Sequence, residues 1–164
     1  MNIFFLDYDP QRCAEYMVDS HVSKMILETA QLLSTAHHLH NSPTAKYVYK
    51  PTHVNHPSAI WARQSLRNYE WLVNHFNSLA GEFSHRFGGR HHKSYDGLVD
   101  VLCEPPRAIP NIGLTLPKPA MDDEYILYNG VDWNAVVLSY RNYYKYGKKP
   151  LHKWTNRPKP EFIT

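Results

Sequence analysis

The stretch "DSHVSKMILETAQLLSTAHH", residues 19–38, constrains the fold of this chain more than any other. Val22, Met25, Ile26, Thr29, Leu32, Leu33 and Ala36 recur at i, i+3, i+4 and i+7, the template of a helix with one buried face. His21, Lys24, Glu28, Gln31, Thr35 and His38 form a second stripe, spaced by three and four residues. That stripe lies about 130° around the helix from the apolar face, beside it rather than opposite. A site at a cleft edge needs such a placement. A solvated face braced by a Lys24–Glu28 pair is the plainer reading.

Other helices follow from punctuation. Asp9-Pro10 reads as an N-cap with proline at the first helical position, giving a short helix over roughly 10–18. Pro57 opens a periodic run to about Phe87, stopped by Gly88-Gly89. Tyr95, Leu98, Val99 and Leu102 mark a shorter helix over about 94–103, and Asp132 caps a last one over about 133–146. Residues 104–120 hold five prolines and are expected to be irregular. Strand signals are nearly absent. The expectation is a mainly α fold: one compact helical bundle over 1–164, two long central helices, a Pro-rich irregular segment and a basic C-terminal tail.

No stretch approaches the ~18 apolar residues of a membrane span, and "MNIFFL" lacks the features of a signal peptide. A soluble, cytoplasmic protein is expected (host-cell cytoplasm if phage-encoded), with Cys13 and Cys103 reduced and buried. Net charge is only +3, yet residues 140–164 carry seven Lys/Arg against Glu161 alone. Such asymmetry points to an anionic partner.

Three constellations carry candidate chemistry. Asp19, His21, Lys24 and Glu28 combine a carboxylate able to orient an imidazole, an amine, and a second carboxylate, the parts of acid–base and amine-nucleophile catalysis. In "KPTHVNHPSAIWAR", His53, Asn55 and His56 sit at a helix N-terminus, where free amides favour an anion, and Arg63 follows two turns on. These residues, with Gln31, are candidate phosphate or substrate contacts; a mere helix cap at Asn55 or His56 is the alternative. In "YRNYYKYGKKPLHKW", Arg141, Tyr143, Tyr144, Lys145, Tyr146, Lys148, Lys149, Lys153 and Trp154 interleave rings and cations as nucleic-acid binding requires. His21, His53 and His56 supply three nitrogens, but no H-E-x-x-H or paired cysteine accompanies them. No cofactor is expected, and a metal stays a minor alternative.

"DSHVSKMILETAQLLSTA", "PTHVNHPSAIWAR", "NYEWL" and "YRNYYKYGKKPLHKW" resemble a family of small tailed-phage proteins, and through it the phage pyrimidine-dimer DNA glycosylases of the endonuclease V type. The resemblance implies cleavage of the N-glycosidic bond of a damaged pyrimidine by an amine nucleophile and a catalytic glutamate, followed by lyase chemistry. The implied amine is the α-amino group exposed when the initiator methionine leaves. Here residue 2 is Asn, a poor context for that removal, so Met1 is expected to stay. Lys24 then becomes the substitute amine, Glu28 the glutamate, and Glu15 a weaker choice. The expected function is an enzyme acting on DNA at a pyrimidine nucleoside, in repair or base modification. An enzyme acting on a free nucleotide and a non-catalytic DNA- or protein-binding factor are the alternatives.

Overall fold

The computed structural model describes residues 1–164 and is mainly α-helical. Its helices are α1 (Pro10–Tyr16), α2 (Asp19–Leu39), α3 (Pro57–Gln64), α4 (Leu66–Arg86), α5 (Lys93–Asp96), α6 (Val99–Leu102) and α7 (Trp133–Tyr146). The two long helices, α2 and α4, pack on each other at the centre, with α1 against α4 and α3 against both. No helix is long and apolar enough to cross a membrane.

Several boundaries follow from the caps already visible in the sequence. The Asp9 side chain accepts from the Gln11 amide at 2.8 Å, and Asp132 accepts from Ala135 at 2.7 Å. The run expected as one helix from Pro57 to Phe87 is two, broken at the buried, extended Ser65. The Pro-rich segment causes the break: Leu66 N–H donates to Pro110 O at 2.9 Å, and Ser65 Oγ donates to Gly113 O at 2.6 Å. The expected helix over 94–103 is likewise two single turns, α5 and α6. Cys13 is buried as expected, whereas Cys103 is exposed; both are free thiols.

The first six residues thread the core without joining a helix or sheet. Ile3, Phe4, Phe5 and Leu6 are all buried, and Phe5 meets Trp61, Trp71 and Trp133 at ring-centroid distances of 5.0, 5.1 and 5.5 Å. Buried backbone outside regular structure needs partners, and side chains supply them. Asn2 Oδ1 accepts from Ile3 and Phe4 amides, Cys13 Sγ donates to Phe4 O, and Arg141 Nε donates to Leu6 O. Phe4 takes a left-handed φ of 59°, an uncommon conformation for an aromatic residue. That turn aims the start of the chain back along α2.

Candidate active site

Three elements meet along the polar stripe of α2. The amino group of Met1 lies 3.2 Å from Glu28 Oε1, and Glu28 is 7% exposed. Its other oxygen, Oε2, is buried with no hydrogen-bond partner. Lys24 Nζ approaches that oxygen only to 3.8 Å and is two-thirds exposed to solvent. A nearly dry carboxylate therefore pairs with a primary amine through one oxygen and keeps the second free for a proton.

The loop before α3 is tied to the same helix. Thr35 Oγ1 accepts from Thr52 N–H at 3.2 Å and donates to Thr52 O at 3.3 Å, and the ring of His38 bonds Tyr49 O. The far half of the α2 stripe thus fastens the loop down. Arg63 donates to Val54 O at 2.8 Å, so its guanidinium braces the loop from within rather than waiting free for an anion. His53 adopts a left-handed φ of 49° and is exposed, as is Asn55. His56 is half-buried and its Nδ1 accepts from Ser58 N–H, capping α3. Burial first, then the Met1 amino group and His53, depress its pKa; the Glu28 carboxylate opposes them. His56 therefore shares the electrostatic neighbourhood of the amine and Glu28.

His21 lies two turns before Glu28 and is also buried. Its ring stacks on Phe4 at 4.4 Å, and its Nδ1 shares a 2.6 Å hydrogen bond with the Tyr144 hydroxyl. Burial, then Lys148 and Lys24, lower its pKa to about 4, which keeps the imidazole neutral at pH 7. Gln31 sits one turn beyond Glu28, half-buried.

Asp19 lies elsewhere. Its carboxylate does not orient His21; it accepts from Thr155 N–H and Oγ1 and pairs with the buried Arg86 at 3.2 Å. Burial opposes its ionisation, but those hydrogen bonds outweigh it and hold the carboxyl below its usual range. Arg86 also meets Glu82, whose carboxylate pairs with Arg157. The group is a clamp between α2, α4 and the C-terminal segment, remote in role from the amine.

The aromatic–basic segment divides in the same way. Tyr144 is completely buried, with no face to offer a base. Arg141 pairs with Asp7 at 3.0 Å and lies against the rings of Tyr16 and Phe162. Trp154 is half-buried and its indole N–H donates to Tyr16 O. Lys148 sits 4.8 Å from the Tyr143 ring and 5.9 Å from Phe4, linking the segment to the His21 end of the site. Tyr146, Lys149 and Lys153 are exposed. Lys145, Tyr146, Lys149, His152, Trp154 and Lys159 line a concavity of about 480 Å³ whose charged side chains are all cationic.

The contact between the Met1 amino group and Glu28 was not expected from the sequence, because a terminal amino group belongs to no residue type, nor was the role of Thr35 in holding the loop. The resemblance pointed to an α-amino group, and the expected retention of Met1 moved that expectation to Lys24. A family model described as pyrimidine dimer DNA glycosylase matches residues 1–96, more than half of the chain. That span includes the amine, α2, the loop and α3. No curated protein and no solved structure matches the chain.

Proposed function

The chain belongs to the pyrimidine dimer DNA glycosylase family, and from that premise we propose that it excises a dimerised pyrimidine from duplex DNA with the α-amine of Met1 as nucleophile. The contact between that amine and Glu28 carries the reading. As a class, α-amines lose their proton near pH 8 and lysines near about 10.4, so an α-amine is the readier nucleophile at neutral pH. Lys24 is two-thirds exposed to water and comes no nearer to Glu28 than 3.8 Å.

Glu28 takes a proton from the ammonium, and the free amine attacks C1′ of the damaged nucleotide. The C1′–N bond breaks and the base leaves with its electron pair. The new secondary ammonium passes a proton to the departing base, and its freed lone pair then forms a double bond to C1′ while the C1′–O4′ bond breaks and O4′ takes a proton from Glu28. The carboxylate so regenerated removes a proton from C2′, and elimination breaks the C3′–O bond. One buried carboxylate with one open oxygen serves each proton transfer in turn. Extruding the nucleotide costs a few kcal/mol. In this reading exposed Tyr146 and half-buried Tyr143 stack against strand or base, and Lys145, Lys148, Lys149 and Lys153 hold phosphates.

Borohydride trapping on duplex DNA containing a thymine dimer tests the assignment. A covalent adduct is expected on the N-terminal peptide by mass spectrometry. Glu28→Gln should lower the single-turnover rate by at least about 100-fold, in line with loss of an essential acid–base group, whereas Lys24→Ala should stay within about three-fold. An adduct on Lys24 would overturn the choice of amine. No adduct from the wild-type protein would overturn the imine mechanism.

A further inference from the structure

His56 performs one structural task that leaves half of its ring uncommitted. Its Nδ1 accepts the Ser58 amide proton at 3.1 Å and so cannot itself carry hydrogen. A neutral imidazole then has its proton on Nε2, where it can only donate. The neighbouring residues make this tautomer compulsory. Pro57 at the first position of α3 has no N–H, so Ser58 offers the first amide that needs a cap. A second ring proton on Nδ1 would break that cap and add a cation within electrostatic reach of the Met1 ammonium and His53.

The ring is also held rigidly. His56 N–H donates to His53 O at 2.9 Å across a turn whose left-handed residue is His53. Arg63 and Thr35 pin the flanking backbone at Val54 and Thr52. Within the protein, His56 Nε2 has no hydrogen-bond partner, and the ring lies within electrostatic reach of both Glu28 and the amine.

We propose that His56 is a catalytic residue of this site, its Nε2–H a fixed, neutral hydrogen-bond donor to the ring oxygen of the deoxyribose under attack. This rests on the reading of Met1 and Glu28 as amine and acid–base group. Phosphates are better served by the lysines of the C-terminal segment, whereas a neutral donor suits an ether oxygen that gains negative charge as its bond to carbon breaks. In that step the C1′–O4′ bond breaks, the amine lone pair forms the new bond to C1′, and the proton reaching O4′ comes from Glu28. His56 stabilises the oxygen by its hydrogen bond and surrenders no proton.

Cap and donor can be separated by one substitution. Asparagine is among the best N-cap residues, so His56→Asn keeps an acceptor for Ser58 N–H while removing the far donor. With thymine-dimer duplex and borohydride, His56→Asn should trap adduct at least ten-fold more slowly at saturating DNA, with DNA affinity and melting temperature close to wild type. His56→Ala, which loses both functions, should also melt lower. Trapping within two-fold of wild type for His56→Asn would reduce the residue to a helix cap and overturn the proposal. Weakened DNA binding with an unchanged saturated rate would make it a grip on the backbone, which also overturns it. If the wild-type protein itself traps nothing, the amine mechanism fails first and this role falls with it.

Discussion

A single residue in this site is defined as much by what each of its atoms has already spent as by its type. His56 and His21 each commit Nδ1 to the protein, and Glu28 commits Oε1 to the amine, so the unused atom of each carries the interest. Tyr144 shows the cost of disturbing such an arrangement. Tyr144→Phe removes the hydroxyl that pairs with His21 Nδ1 in a fully buried setting. An orphaned buried polar atom costs about 1–3 kcal/mol, so thermal melting should show a clear loss of stability. DNA affinity should hold, since Tyr144 has no exposed surface. That His21, Lys24 and Glu28 share one face of α2 was legible in the sequence from helical spacing, and that His56 caps α3 was legible from the Pro57 that follows it. The amine was not, because its position depends on a left-handed turn at Phe4 that no local pattern specifies.

At the scale of elements, the N-terminal ends of α1 and α7 were readable from Asp9 and Asp132, whose caps act within a few residues of chain. The break between α3 and α4 was not. "PSAIWARQSLRNYEWL" contains no internal proline or glycine and reads as one helix. What interrupts it is a partner some fifty residues away, since Ser65 Oγ both donates to Gly113 O and accepts from Ile112 N–H. Ser65→Ala would strand both groups. Chemical denaturation should then report a loss of about 1–3 kcal/mol, with more than one helix affected because the Pro-rich segment loses its anchor. A loss below about 0.3 kcal/mol would mean that the corner is held by packing alone. The corner matters for function because it sets where α3 ends and α4 begins, and so how α3, with His56 at its head, sits against α2 and α4.

The molecule as a whole answers the charge asymmetry of its sequence in two ways. Of the cations after residue 140, Arg141 and Arg157 turn inward to Asp7 and Glu82, while Lys145, Lys149 and Lys159 line the concavity. The asymmetry itself was legible; its division was not, because the carboxylates that take up the arginines lie far off in sequence. Burial holds three rings neutral, His21, His37 and His75, each with its pKa lowered to about 4. The unfolded chain binds these protons near pH 6.5 and the folded one only near 4, so stability falls as pH descends through that window. Melting temperature should drop by at least about 10 °C between pH 7 and 4.5. Below about pH 4 a second loss begins, as Asp19 and Glu82 gain protons and release the C-terminal clamp. A flat profile from pH 7 to 4.5 would contradict the burial of those rings. The 3.2 Å contact between Met1 and Glu28 has one more consequence, for anyone preparing the protein. One residue left behind by an affinity tag would displace the leading nitrogen by up to about 3.8 Å, so a preparation carrying such a scar should grip damaged DNA yet stay chemically silent.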